Sequence, residues 1–211
     1  MALSTYAELQ TSVATFMRRS DLTTLIPDYI ALAEAEINRR VRVRAAMDTT
    51  TLSLAAAGYS VALPAGFLEE IELNYVDGTY SLMRAPWAVI DASRVTAQVT
   101  GRPGQYGVTD STIEFDFVAD AAYSLKLRYY KRWSLATDLT NWLLTNHPDV
   151  YLFGAIHEAA LHLVDADVAT FAKAKRDAAL ESLLLSDGRN RGHSRRTDLP
   201  IPSSYNITRG Y

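Results

Sequence analysis

Apolar residues recur at helical spacing toward both ends of the chain and alternate with polar ones in between. Near the start, Tyr6, Leu9, Val13 and Phe16 fall three or four apart, the period of one helix face. Thr5 and Glu8 stand at capping-box spacing at the head of that run, where each satisfies a backbone donor that the first turn leaves open. Ser20 and Asp21 break the pattern. A second helix is predicted to begin near Pro27, whose missing N–H costs nothing in a first turn. Ile26, Ile30, Ala33 and Ile37 form its stripe, and the pattern places Glu34, Glu36, Arg39 and Arg40 on the surface.

The period then drops to two. Thr49 to Leu54 and Tyr59 to Leu63 alternate, and Phe67 to Val76 is a further strand. Asp77-Gly78 is a hairpin turn signal, because both positions tolerate positive φ, with Tyr80 to Met83 as the return strand. Pro86 to Val95 reads as a short helix lying on the sheet, and Gly101, Pro103, Gly104 and Gly107 read as a loop. Ile113, Phe115 and Phe117 alternate, as do Leu125, Leu127 and Tyr129, so the two runs are expected to pair as an antiparallel hairpin across Ala119 to Ala122. Tyr129, Tyr130 and Trp133 then lead out of the strand as core or junction residues.

Helical period returns after Trp133. Asn146 is placed to cap a helix with Pro148 and Asp149 in its first turn and Phe153, Ile156, Ala160 and Leu163 on its apolar face. After Asp165 and Asp167, a last helix is expected from about Val168 to Leu185, on Val168, Ala172, Ala179 and Leu183, with Gly188 as its stop. These readings give an α+β fold: a discontinuous helical bundle with an inserted antiparallel β subdomain and an extended C-terminal arm. Its expected divisions are residues 1–47 and 134–187 for the helical body, 48–133 for the insertion and 188–211 for the arm.

Composition changes the picture at the arm. Residues 188–211 hold five arginines against Asp198, a formal charge of +4, which leaves −7 on the rest of a chain whose net charge is −3. With Pro200 and Pro202 and little to form a core, this segment is expected to be extended or disordered by itself. The chain has no cysteine, which removes disulfides, thiol catalysis and cysteine-based zinc sites. Met1 to Arg19 lacks the basic start, apolar run and cleavage site of a signal peptide. No apolar stretch approaches the roughly 20 residues a bilayer span needs, so no membrane partner is expected.

Candidate chemistry is sparse. His157-Glu158-Ala159-Ala160-Leu161-His162 has the flavour of a zinc-protease helix, but that motif sets its histidines four apart. Five apart, they diverge by about 140° around the helix. A metal-dependent hydrolase using His157, Glu158 and His162 is the alternative from the enzyme class. The glycines from 101 to 107 match no nucleotide-binding fingerprint, and no Gly-x-Ser-x-Gly elbow occurs. Glu70 and Glu72 share a face of an alternating strand, where a solvated surface is the ordinary outcome. No cofactor is implied, and the chain reads as a non-enzyme.

Two basic features remain. Arg39, Arg40, Arg42 and Arg44 cluster at the end of the second helix, where they either meet an acidic partner or nucleic acid or complement the helix dipole. A nucleic-acid-binding protein built on the arginine clusters is a third reading. In the arm, Arg189, Arg191, Arg195, Arg196, Ile201, Tyr205, Ile207 and Arg209 combine charge with apolar side chains. Tyr205 to Thr208 has the makings of a strand added to a partner.

An ordered set of segments carries a resemblance. Thr5-Tyr6-Ala7-Glu8-Leu9, the run from Ile26-Pro27-Asp28-Tyr29 to Asn38-Arg39, and Leu63-Pro64-Ala65-Gly66-Phe67 come first. Leu127-Arg128-Tyr129-Tyr130 and the run from Thr145-Asn146-His147-Pro148-Asp149 to Glu158-Ala159 follow. In this order they resemble the head–tail adaptor (connector) proteins of tailed bacteriophages; Trp87 to Gln98 matches least. The resemblance implies a virion structural protein, made in the host cytoplasm and assembled as a dodecameric ring beneath the portal. It implies contacts with the portal protein, with tail or nozzle proteins and with neighbouring copies. Packaged DNA would pass through the ring without sequence specificity, and the ring would help retain the genome and conduct it at ejection. The arm residues would reach the portal or a neighbouring subunit, with the Arg39–Arg44 cluster as a secondary contact.

Overall fold

The computed structural model describes residues 3–19, 21–78, 81–96 and 99–192. In chain order, α1 (Tyr6–Met17) and α2 (Ile26–Arg40) lead into β1 (Met47–Leu54), β2 (Ser60–Ala62), β3 (Phe67–Tyr75) and β4 (Met83–Arg84). Then come α3 (Trp87–Thr96), β5 (Thr100–Gly101), β6 (Gln105–Val108), β7 (Thr112–Phe115), β8 (Val118–Ala119) and β9 (Tyr123–Lys131). Four helices follow: α4 (Leu135–Asp138), α5 (Trp142–Asn146), α6 (Pro148–His162) and α7 (Ala166–Gly192). The fold is α+β, and the chain divides into a helical unit, Met1–Arg44 with Ser134–Tyr211, and a β unit, Ala45–Trp133.

In the helical unit the capping box forms as expected. The Thr5 hydroxyl accepts from the Glu8 amide, and Glu8 Oε2 accepts from the amides of Thr5 at 3.0 Å and Ser4 at 2.9 Å. Leu9 and Val13 of α1 are buried, and so are Ile26, Ile30, Ala33 and Ile37 of α2. Phe16 sits at the edge, its ring 6.2 Å from that of Phe153.

α6 departs from the expected single face. It packs against α1, α2, α5 and α7, so it buries Val150, Tyr151, Gly154, Ala155, Ile156, Ala159 and Ala160, while Phe153 and Leu163 are only half-buried. A helix covered on several sides is apolar nearly all round. It approaches α2 closely at Gly154, where a Cβ would lie 2.9 Å from the Ala33 Cβ. Nor does Asn146 cap it: the Asn146 Nδ2 donates to the Trp142 carbonyl at the end of α5, and His147 is the N-cap. α7 outruns its expected bounds in both directions. Asp165 Oδ1 accepts from the Val168 amide to start it, and it continues through Gly188, since one glycine costs a helix only about 0.5–1 kcal/mol.

The β unit is antiparallel in the main, with order β1-β9-β3 in one sheet, β2-β7-β6-β4 in a second and β5-β8 in a small third. Two short parallel pairs, β4 with β6 and β5 with β8, were not expected. The predicted hairpin of β7 and β9 does not form. β9 instead lies between β1 and β3, pairing with β1 from Met47↔Tyr130 to Leu54↔Tyr123 and with β3 from Phe67↔Lys131 to Tyr75↔Leu125. Strands of eight and nine residues satisfy both edges of the nine-residue β9, as the four-residue β7 could not.

Asp77-Gly78 does turn the chain, with Gly78 at φ 69°. The return is one isolated bridge, Asn74↔Ser81, because Met83–Arg84 departs to pair with β6; Tyr80 lies outside the described residues. Gly101 and Gly107, expected in a loop, belong to β5 and β6. The core of this unit includes Leu73, Tyr75, Ile113, Phe115, Leu125 and Leu127. The short helix is where the sequence places it: α3 buries Ile90, and the Trp87 indole lies over β6 at Gly107, where a Cβ would come 3.3 Å from the ring.

Candidate functional site

The arginine cluster at the end of α2 is largely absorbed by the helical unit's own packing. Arg40 reaches Glu36 one turn back and Asp177 of α7, each at 3.0 Å. Arg42 donates to the carbonyls of Asn38 (2.7 Å) and Val41 (3.0 Å), groups that a helix end leaves open. Arg44 donates to Asp187 Oδ1 through its amide at 3.2 Å and its Nε at 3.3 Å. Arg39 is exposed.

A fifth arginine, which sequence reasoning passed over, completes this cluster. Arg176 of α7 is 4% exposed and bonds Glu36 at 2.5 Å and Asp177 at 3.1 Å. A buried charge without such partners would cost several kcal/mol. The signal was present, because Arg176 stands four residues after Ala172 on the apolar stripe of α7. Its hydrogen bonds to the carboxylates of Asp177 and Glu36 hold the Arg40 guanidinium above its ordinary pKa. At Asp177, burial pushes the pKa up, but Arg40 and Arg176 outweigh it and hold the carboxyl below its ordinary range.

Glu34, expected on the surface, is buried. Its Oε1 accepts from the Leu135 amide at 2.9 Å and the Tyr151 hydroxyl at 3.0 Å, and Tyr151 in turn accepts from Asn141 Nδ2 at 2.9 Å. The network fastens α4 and α5, where the chain re-enters the helical unit, to α2 and α6.

The enzyme-like string is spent on packing. His157 Nδ1 lies 3.0 Å from the Ala169 carbonyl of α7, and the His162 ring packs 5.8 Å from that of Tyr29. Among the described residues no group of three or more His, Asp or Glu side chains is placed to hold a metal ion. Glu70 and Glu72 do not share a face. The ladder of β3 shifts between them, setting Glu70 opposite Tyr129 and Glu72 opposite Arg128, neighbours that point to opposite sides. Glu70 pairs with Arg84, and Glu72 with Arg128 at 3.0 Å.

Of the arm residues, Arg189 is exposed near the end of α7, its Nε 3.4 Å from the Leu185 carbonyl, and the backbone of Arg191 is helical. Arg195, Arg196, Ile201, Tyr205, Ile207 and Arg209 lie outside the described residues. Among the described residues no helix is long and apolar enough to cross a membrane. The β unit also has an open groove of about 360 Å³ lined by Arg84, Ala85, Pro86, Trp87 and Val108. No periodicity reveals it, since it arises where Trp87 at the head of α3 lies over β6.

The fold is therefore a helical unit stitched by interior ion pairs and carrying an inserted β unit, with a basic segment after its longest helix. No curated protein sequence matches the chain. The family model of the SU10 adaptor protein matches residues 4–198, most of the 211 residues, and the chain belongs to this family of bacteriophage head–tail adaptors.

Proposed function

We propose that the chain is the subunit of a dodecameric ring that sits beneath the portal and joins the DNA-filled capsid to the tail or nozzle. The ring helps retain the packaged genome and conducts it at ejection, touching DNA without reading its sequence. The observation that carries this reading is the family match across residues 4–198.

The arm, residues 188–211, is the portal or neighbour contact. Its formal charge of +4 contrasts with −7 on the remainder, so it is repelled by few surfaces of an acidic partner and attracted to many. Arg195, Arg196 and Arg209 supply charge, and Ile201, Tyr205 and Ile207 supply apolar anchors. Arg39 and the exposed parts of Arg40 and Arg44 form a secondary contact. Arg42 and Arg44 serve that role only as far as their bonds within the helical unit allow.

Mixing the purified chain with purified portal tests the reading. A ring of subunits seated on the portal, seen by electron microscopy across a range of salt, is the expected result. A portal that stays bare at every salt concentration overturns it. A monomer in the absence of portal is compatible with the proposal, because ring assembly is assigned to the portal surface.

A further inference from the structure

The corner between α6 and α7 is closed by paired backbone hydrogen bonds. The Asp165 amide donates to the Ala160 carbonyl at 2.9 Å, and the Val164 amide to the Leu161 carbonyl at 3.2 Å. This is a Schellman closure, whose left-handed position is ordinarily glycine. Here that position is Val164, at φ 57°, a conformation that a β-branched residue rarely adopts. The side chain gains little from packing there, because Val164 is 89% exposed. Leu161, one turn earlier, is 54% exposed. The corner thus holds two branched aliphatic side chains out in solvent on a hydrogen-bonded turn. Asp165 and Asp167, both exposed, flank them.

The β unit presents the complement. Ala85, Pro86, Trp87 and Val108 line an open groove together with the basic Arg84. Its volume is about 360 Å³ and it is open to solvent. The floor is built, because Gly107 lets the Trp87 ring settle on β6. Arg84 pairs with Glu70 but is itself 62% exposed. A guanidinium has five N–H donors, so this one keeps donors for a second carboxylate.

We infer that the α6–α7 corner of one copy docks into the Arg84–Trp87–Val108 groove of the next copy. Leu161 and Val164 enter the groove, and Asp165 or Asp167 meets Arg84. The occupant is a second copy because this chain carries both halves of the match: an acidic corner with exposed Leu161 and Val164, and a groove that sets the exposed Arg84 beside Pro86, Trp87 and Val108. Two different patches meeting make a head-to-tail contact, the kind that repeats around a ring. The inference rests on the proposed ring and names the surfaces that would build it.

A photo-crosslinking residue in place of Val164, in full-length chain assembled on portal, tests the contact. The expected product has the mass of two copies, joined to a peptide containing Trp87 or Val108. A ring that forms while the crosslink falls on portal, on a tail protein or on another face overturns the contact and leaves the ring reading standing. Absence of any ring overturns both. Val164→Gly separates assembly from folding, because glycine suits the left-handed turn. Its melting temperature should equal or exceed that of the native chain while ring yield on portal falls at least tenfold. Undiminished ring yield overturns the inference.

Discussion

The Tyr151 hydroxyl donates to Oε1 of Glu34 at 3.0 Å, and the Leu135 amide donates to the same oxygen at 2.9 Å. Burial raises the Glu34 pKa, outweighing these two hydrogen bonds, and burial likewise raises that of Tyr151, which stays a donor. Because the folded pKa of Glu34 exceeds the unfolded one, its contribution to stability is fully present below the ordinary glutamate range. That contribution is lost as pH rises through the raised value. Glu34→Gln keeps the accepting oxygen and removes the charge. Its urea midpoint should therefore gain on that of the native chain as pH climbs through this window and hold a constant difference below it. A gain that shrinks with rising pH would contradict the assignment. Glu34→Ala instead strands two buried donors and should cost about 1–3 kcal/mol.

Gly154 is required by the approach of α6 to α2, where an added Cβ would lie 2.9 Å from that of Ala33. Gly154→Val should destabilise the fold by about 1–3 kcal/mol through overpacking. Gly154→Ala combined with Ala33→Gly returns the space and should recover stability relative to Gly154→Ala alone. Denaturant unfolding of the four chains of that cycle measures the coupling, and strict additivity would show that the two helices do not meet there.

The Tyr29 hydroxyl is buried and has no hydrogen-bond partner among the described residues, and burial raises its pKa. An unsatisfied buried hydroxyl is a net cost. Tyr29→Phe keeps the ring against His162 and should leave stability unchanged or raise it by about 1 kcal/mol. Thermal unfolding decides, and a clear loss would mean that the hydroxyl has a partner.

The arm prediction takes a sharper boundary from the structure. Cutting at 188 would remove the last turn of α7, which runs to Gly192. A chain ending at Gly192 keeps the Asp187 bonds to Arg44 and should melt as the full chain does. It should also bind portal more weakly, with a reduced salt dependence, since Arg195, Arg196 and Arg209 are gone. Equal portal affinity in the two chains would remove the arm from the interface.

What sequence reasoning recovered was local. The Thr5–Glu8 box spans four residues, and the stripe from Ile26 to Ile37 spans one helix. The short helix expected over Pro86 to Val95 forms as α3, and the α+β class follows from the change of period along the chain. What it missed depends on distant partners. Whether Glu34 faces water is decided by an amide 101 residues away. Arg176 is tolerable inside only because Glu36, 140 residues earlier, is beside it. β9 alternates in the same way whether it pairs with β7 or sits between β1 and β3, so alternation could not choose. The bulge that parts Glu70 from Glu72 likewise exists only in register with β9. In the candidate interface, the arginine positions were legible as a charge cluster. Their division between interior bonds and open surface was not.

The central claim is a ring between portal and tail, and the most direct measurement is a map of the head–tail junction of intact phage particles at side-chain resolution. The account predicts twelve copies of this chain as a single ring against the portal, with residues 193–211 in contact with portal or a neighbouring subunit. Particles lacking the chain, or holding it anywhere other than between portal and tail, would contradict it.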